Sequence, residues 1–309
     1  MNAQHPDIKI RYIRTKNKTR KLATYRSDDC ELRVKHKRIN DFIESRFIPS
    51  IFSKGYVKNR SIYHNALAHL YNDYFIMLDI KDFFPHICHK QLADRLFYEL
   101  NLLSPKQISL KECKDIVETC SISGRGLPLG FITSPILSNV YMKEFDGILY
   151  GQLKKLKLEN VIYTRYADDI TISFKYSNRA PLTEVENQII SLAESLLSKY
   201  GLQLNNRKKR SYNLNVSNHV RITGINITKQ FDNRRLLTVG RATKNELYWN
   251  AIECLKSRDS EKIAYVKGMQ SFVLSVEKNG YENCYSEAMI QQIRDLGFAS
   301  LKELIDSLN

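Results

Sequence analysis

The chain has 309 residues, 43% of them hydrophobic and 26% charged, the make-up of a folded protein with a substantial core and not of a disordered or collagen-like chain. Its 48 Lys and Arg against 33 Asp and Glu leave a net charge of +15 and a pI of about 9.4, which points to a polyanionic partner, nucleic acid ahead of anionic membrane. No run of about 18 apolar residues marks a membrane span, and no apolar segment near the start marks a secretory signal, so a cytoplasmic location is expected.

The six cysteines include no Cys-x-x-Cys pair and read as free thiols of a reducing compartment. From Lys9 to Lys21, seven cations and no acid alternate with Ile10, Tyr12 and Ile13. That pattern predicts a strand, a turn over Lys16-Asn17-Lys18-Thr19 and a second strand from Arg20 to Tyr25, a basic ribbon suited to phosphate. Glu31 to Ile51 carries apolar residues at helical spacing and is closed by Pro49. Asn65 and His69, four apart, share one face of a short helix.

Tyr74 to Asp79 is a nearly continuous apolar strand ending in an acid, and an Asp at the end of a buried strand is costly unless paired or metal-bound. Asp82 suits the cap of the next helix. Gly124 to Pro135 is the densest Gly/Pro stretch and runs into an amphipathic helix from Ile136 to Phe145. Val161 to Ser173 then reads as strand, tight turn and returning strand, with Asp168 and Asp169 at the tip. Adjacent carboxylates repel each other there unless a divalent cation removes the repulsion.

A helix from Thr183 to Tyr200 is stopped by Gly201, and the cations Arg207-Lys208-Lys209-Arg210 follow. His219 to Thr228 is expected to be one strand broken by a glycine bulge, and beyond Asn233 the pattern turns helical and basic.

Five short motifs then fall in order: Leu78-Asp79-Ile80-Lys81-Asp82-Phe83-Phe84; Leu127-Pro128-Leu129-Gly130 with Ser134-Pro135; Tyr166-Ala167-Asp168-Asp169; Gly201-Leu202-Gln203-Leu204-Asn205 with Lys208; and Ile222-Thr223-Gly224. Together they resemble the successive motifs of the reverse-transcriptase palm. Asn65-Ala66-Leu67-Ala68-His69, Ile222-Thr223-Gly224 and the segment from Tyr265 to Val276 resemble bacterial retron reverse transcriptases in particular.

The resemblance implies an α+β right-hand polymerase fold: fingers over 1–76, a palm over 77–230 with a fingers insertion around 90–125, and a helical thumb over 231–309. It implies an RNA-directed DNA polymerase that copies a structured noncoding RNA into short single-stranded DNA, primed from an RNA 2′-hydroxyl, within an antiphage defence system. A group II intron or CRISPR-associated reverse transcriptase, or a catalytically silent RNA-binding scaffold, stays open as an alternative.

By the same resemblance, Asp79, Asp168 and Asp169 with the Ile80 carbonyl hold two Mg²⁺ ions, for which Mn²⁺ can substitute. Lys208 is the proton donor to pyrophosphate. Arg20 and Lys18 meet the triphosphate, with Gly130 and Ser134 also at the nucleotide. Phe84 blocks a ribose 2′-hydroxyl. Asn65, His69, Thr223, Gly224 and Lys267 contact RNA or primer. Expected partners are the noncoding RNA, its DNA product, dNTPs and a separate effector protein, with no membrane. The chain departs from the family at Leu129, where a glutamine is usual.

Overall fold

A computed structural model describes residues 5–15, 18–175, 181–257, 259–278 and 280–308; the side chains of Thr15 and Lys18 lie outside that description. The chain forms two compact units. One comprises the residues up to Asn65 together with Asn72–Asn213, the other Ala66–Tyr71 with the residues from Leu214 onward. The division into fingers, palm and thumb is finer than this and stays a proposal.

The first unit begins with the basic ribbon, β1 (Ile8–Thr15) paired antiparallel with β2 (Lys18–Tyr25). Helix α1 (Glu31–Glu44) buries Leu32, His36 and Ile43, and ends short of the Pro49 limit read from the pattern. Helix α2 (Ile62–Ala68), whose last three residues belong to the second unit, is followed by β3 (Tyr74–Asp79), whose Phe75, Ile76 and Leu78 are buried. A short α3 (Phe83–His86) follows Asp82, which holds the cap position in a left-handed conformation without capping through its side chain. Helices α4 (His89–Asn101) and α5 (Leu110–Thr119) come next, the latter opened by a reciprocal Ser109–Glu112 capping box.

Helix α6 (Ser134–Lys155) starts with a proline in its first turn, where the missing N–H costs nothing, and is buried along most of its length. The expected hairpin is β4 (Glu159–Tyr166) and β5 (Asp169–Lys175), and α7 (Leu182–Lys199) follows. A single 3₁₀ turn, Asn206–Lys208, leads to β6 (Arg210–Asn213). The four strands order as β4-β5-β3-β6. Leu92, Leu96, Leu137, Phe145, Ile172 and Ile189 belong to the continuous core that packs α4, α6 and α7 with this sheet.

The second unit contains α8 (Leu214–Ser217), the three-stranded sheet β7 (His219–Ile222), β8 (Ile225–Lys229) and β9 (Arg235–Thr238), and helices α9 (Arg241–Ser257), α10 (Ser260–Val276), α11 (Glu287–Asp295) and α12 (Leu301–Ser307). Two expectations change here. The glycine bulge is a two-residue hairpin turn: Ile222 pairs with Ile225, and Thr223 and Gly224 both have positive φ, 45° and 96°. The segment past Asn233 first makes β9 before turning helical, because Leu237 pairs with Ile227. At the end of α10, the Glu277 carboxylate accepts from Thr238 Oγ1, the Val239 N–H and Lys244 Nζ, fastening the last strand to the helices. Among the described residues, no helix is long and apolar enough to cross a membrane.

Candidate active site

The pairing of β3 with β5 brings the acids together. In that register Asp79, the last residue of β3, lies directly opposite Asp169, the first residue of β5. Tyr166 pairs with Asp169 across the β4–β5 hairpin, leaving Ala167 and Asp168 as its two-residue turn. Ala167 has a φ of 57° and Asp168 has no positive φ, the pattern of a type II′ turn, in which glycine is usual at the first position. The Ile80 N–H donates to the Asp168 carbonyl at 3.0 Å, joining the backbones that carry the two acids. Acids separated by about ninety residues of chain thus meet at one end of the sheet.

The motif from Gly201 to Lys208 acts on Asp79. The Asn205 N–H donates to the Asp79 carbonyl at 2.8 Å, its side-chain amide donates to Asp79 Oδ2 at 3.2 Å, and Lys208 Nζ donates to Asp79 Oδ1 at 2.5 Å. The hydrogen bond to Asp79 raises the pKa of Lys208, as do the charges of all three acids. Burial, with the Asp79 charge, raises the Asp168 carboxyl, while Lys208 and Arg20 oppose. Partial burial, then the Asp168 and Asp79 charges, push Asp169 up to about 6. Its side chain nonetheless keeps a face open to solvent, where a ligand has access.

Beneath the turn lies a buried polar network. Arg165, fully buried in β4, makes a two-pronged ion pair with the equally buried Asp146 of α6, Nε to Oδ1 at 2.8 Å and Nη2 to Oδ2 at 2.9 Å. Its Nη1 donates to the Ala167 carbonyl at 3.2 Å and so holds the turn that carries Asp168. Tyr163 donates to Asp146 Oδ1 at 2.7 Å. Asn139, also on α6, accepts from Arg165 and from Ser53, and donates to the carbonyls of Gly55 and Tyr56. Gly55 packs so closely on the turn that a Cβ would stand 2.8 Å from the Ala167 nitrogen.

The nucleotide-side residues are placed as follows. Arg20 is exposed on β2, with its charge close enough to lower both Asp168 and the Tyr56 phenol. Lys18 belongs to the same strand, and its side chain lies outside the described residues. Gly130 has a φ of +103° and its missing Cβ would fall 2.4 Å from the Ala23 carbonyl. The Ala23 N–H bonds the Leu129 carbonyl at 2.8 Å, which docks the loop on the basic ribbon. Leu129, standing where the family has glutamine, is partly buried against the core. The Ser134 hydroxyl is engaged with the Pro128 carbonyl at 2.7 Å and braces that loop. Phe84 is 8% exposed, with its ring next to Tyr56.

Asn65 and His69 are both fully buried, so their side chains do not form an exposed contact face. Thr223, Gly224 and the exposed Lys267 belong to the second unit, the first two in the β7–β8 turn and the last on α10. Sequence reasoning missed Arg165, Asp146, Asn139 and Tyr56, and quoted Asn205 without giving it a task. The available signal was a lone arginine inside the apolar run Val161 to Tyr166, which in a buried strand demands a partner.

The oxygens gathered here are the hard donors that a Mg²⁺-like cation takes, with neither thiolate nor imidazole among them. Among the described residues, no three His, Cys, Asp or Glu side chains are already arranged to hold a metal ion. The acids are therefore brought to one end of the sheet without being arranged as a metal cage.

Residues 15–227 match the family model described as reverse transcriptase (RNA-dependent DNA polymerase). Among curated proteins, Escherichia coli retron Ec73 reverse transcriptase is 39% identical over 121 residues, covering 38% of this chain and 38% of that protein. Escherichia coli retron Ec86 reverse transcriptase is 24% identical over 88% of this chain and 78% of its own length, and Myxococcus xanthus retron Mx162 reverse transcriptase is 26% identical over 71% and 48%. The match thus spans well under two thirds of the first and third of these relatives. The resemblance to retron reverse transcriptases drawn from the motifs holds in these comparisons. Among solved structures, apo telomerase from Candida tropicalis superposes with a TM-score of 0.53 at 12% identity, over 99% of this chain and 64% of that one. This likeness concerns the fold alone, and it is consistent with the expected α+β right-hand polymerase architecture.

Proposed function

The chain belongs to the reverse transcriptase (RNA-dependent DNA polymerase) family, and from that premise we propose that it is an RNA-directed DNA polymerase of the retron kind. The observation that carries the proposal is the convergence of Asp79, Asp168 and Asp169 at one sheet end, with Lys208 bonded to Asp79. Divalent metal held there by the carboxylates and the Ile80 carbonyl, Mg²⁺ in the first instance and Mn²⁺ in its place, would neutralise charge on the attacking and leaving oxygens of phosphoryl transfer.

The chain's own residues do the rest. Arg20, with Lys18, binds and orients the triphosphate, and Gly130 lets the loop approach it. Lys208, an ammonium beside the acids, delivers a proton to the departing pyrophosphate. Phe84 closes the space beside the sugar C2′, favouring deoxynucleotides. In this reading the template is a structured noncoding RNA, copied into short single-stranded DNA that starts from an RNA 2′-hydroxyl, and the product is a branched hybrid. Thr223, Gly224 and Lys267, with the other cations of the second unit, grip primer and RNA through shape and phosphate. The system would serve antiphage defence, with a separate effector protein, in the cytoplasm.

The test is to incubate the protein with the noncoding RNA encoded beside its gene, dNTPs and Mg²⁺, using Asp168→Asn as the control. DNA that resists RNase as a branched product from wild type alone, with RNA binding equal in both proteins, supports the reading. Extension only from free 3′ ends would leave a general reverse transcriptase. No extension on any primed template would remove the polymerase assignment.

A further inference from the structure

Tyr56 is an aromatic residue with 49% of its surface exposed, at the edge of a site whose other rings are mostly buried. Its ring centroid lies 6.4 Å from that of Phe84, edge-on, and 6.4 Å from that of Tyr166, tilted. It thus spans from the ring expected beside the sugar to the tyrosine two residues before Asp168. Its backbone is left-handed, with a φ of 58°, a conformation that costs a bulky residue free energy and persists only where surroundings impose it. The surroundings do impose it. Asn139 donates to the carbonyls of Gly55 and Tyr56 at 3.0 and 3.4 Å, and Gly55 is wedged against the Ala167 nitrogen.

Half of the Tyr56 side chain packs beside Phe84 and Tyr166, and the other half stays in solvent, where packing does not account for the strain. Burial and the nearby Asp168 charge raise the Tyr56 phenol, while the Arg20 guanidinium lowers it, which puts its hydroxyl within electrostatic reach of both ends of the site. We infer that Tyr56 is a nucleotide-contacting residue: its ring, with those of Phe84 and Tyr166, forms the wall against which the sugar and base of the incoming nucleoside triphosphate pack. This rests on the polymerase reading above and adds a contact to it. Asn139 acts through Tyr56 and is a positioning residue. Such a contact accounts for the exposure of the ring, since an aromatic ring offers a base a stacking surface whatever the base's identity.

The experiment measures single-nucleotide extension of poly(rA)·oligo(dT) with dTTP and Mg²⁺ for wild type, Tyr56→Phe, Tyr56→Ala and Tyr56→Gly. Glycine tolerates the positive φ, and that relief offsets part of the packing lost with the ring. Expected is a rise of about tenfold or more in KM for dTTP in the Ala and Gly variants, a value near wild type in the Phe variant, and template–primer affinity and melting temperature unchanged in all three. A KM for dTTP unaltered in Tyr56→Gly overturns the inference, as does a loss shared equally by KM, template affinity and melting temperature. Should wild type extend no primer, the polymerase reading fails separately. Calorimetric binding of dTTP to wild type and Tyr56→Gly then decides the contact by itself, equal affinities overturning it.

Discussion

Lys208 places its ammonium 2.5 Å from Asp79 Oδ1, so a side-chain cation rests on the very carboxylate that a metal ion would use. The pair offsets the crowding of three acids, and in the proposed reading a metal ion at Asp79 would have to displace or share Lys208. Replacing Lys208 by Met should therefore have two opposite effects. Added Mg²⁺ should raise the melting temperature more in the variant than in wild type, because competition for Asp79 is gone. The extension rate should nevertheless fall by about a hundredfold, the usual worth of a positioned proton donor. Thermal shift against Mg²⁺ concentration and single-turnover extension read the two effects, and a variant with wild-type rates would remove Lys208 from the chemistry.

The Arg165–Asp146 pair is sealed from solvent at both ends, so removing one partner leaves a charge buried without compensation. Arg165→Met is expected to cost about 3–5 kcal/mol, with Asp146→Asn in the same direction. Denaturant unfolding measures this. Because Arg165 also holds the Ala167 carbonyl, whatever protein stays folded should extend primers more slowly than its folded fraction accounts for.

Phe84 is buried to 8% exposure against Phe83 and Tyr56, and truncating it opens space beside the acids. Phe84→Ala should admit ribonucleotides, visible as alkali-sensitive DNA product. It should also cost about 3–5 kcal/mol of stability, as loss of a core aromatic does. Product that remains alkali-resistant at high ribonucleotide concentration would make Phe84 a packing residue only.

His36 is fully buried, with Nδ1 2.7 Å from the Tyr25 hydroxyl and Nε2 3.0 Å from the Thr119 carbonyl. Burial, helped by the neighbouring Lys35 charge, holds its pKa below the ordinary 6.5, against the pull of the Thr119 carbonyl. The unfolded chain then takes up this proton at a higher pH than the folded one. The stability contribution is complete above about pH 6.5 and is lost as the pH falls below it. Melting temperature should decline on that acid side, and the decline should flatten in His36→Gln, which starts from a lower value because Gln fills the site less well.

Much of the site was legible as order along the chain. The apolar run ending at Asp79, the acid pair at a hairpin tip and the Gly201–Lys208 segment each carry a local pattern that sequence reading recovers, because strand, turn and helix-stop signals are set by neighbouring residues. Those patterns also carried the family resemblance. Where two readings of one pattern compete locally, the sequence was ambiguous: Thr223-Gly224 fits a bulge as well as a turn, and only the pairing of Ile222 with Ile225 selects the turn.

Tertiary structure decided what depends on partners distant in the chain. That Asp79 faces Asp169 follows from strand register, that Asn205 and Lys208 close on Asp79 follows from the path after α7, and that Ser134 braces Pro128 uses up a hydroxyl otherwise free for substrate. Arg165 and Tyr56 illustrate the limit most clearly. Residue type alone gave one as another cation and the other as another aromatic, whereas burial beside Asp146 and exposure beside Phe84 are properties of a packed fold, in which the desolvation of a charge or a ring is fixed by atoms that the local sequence does not contain.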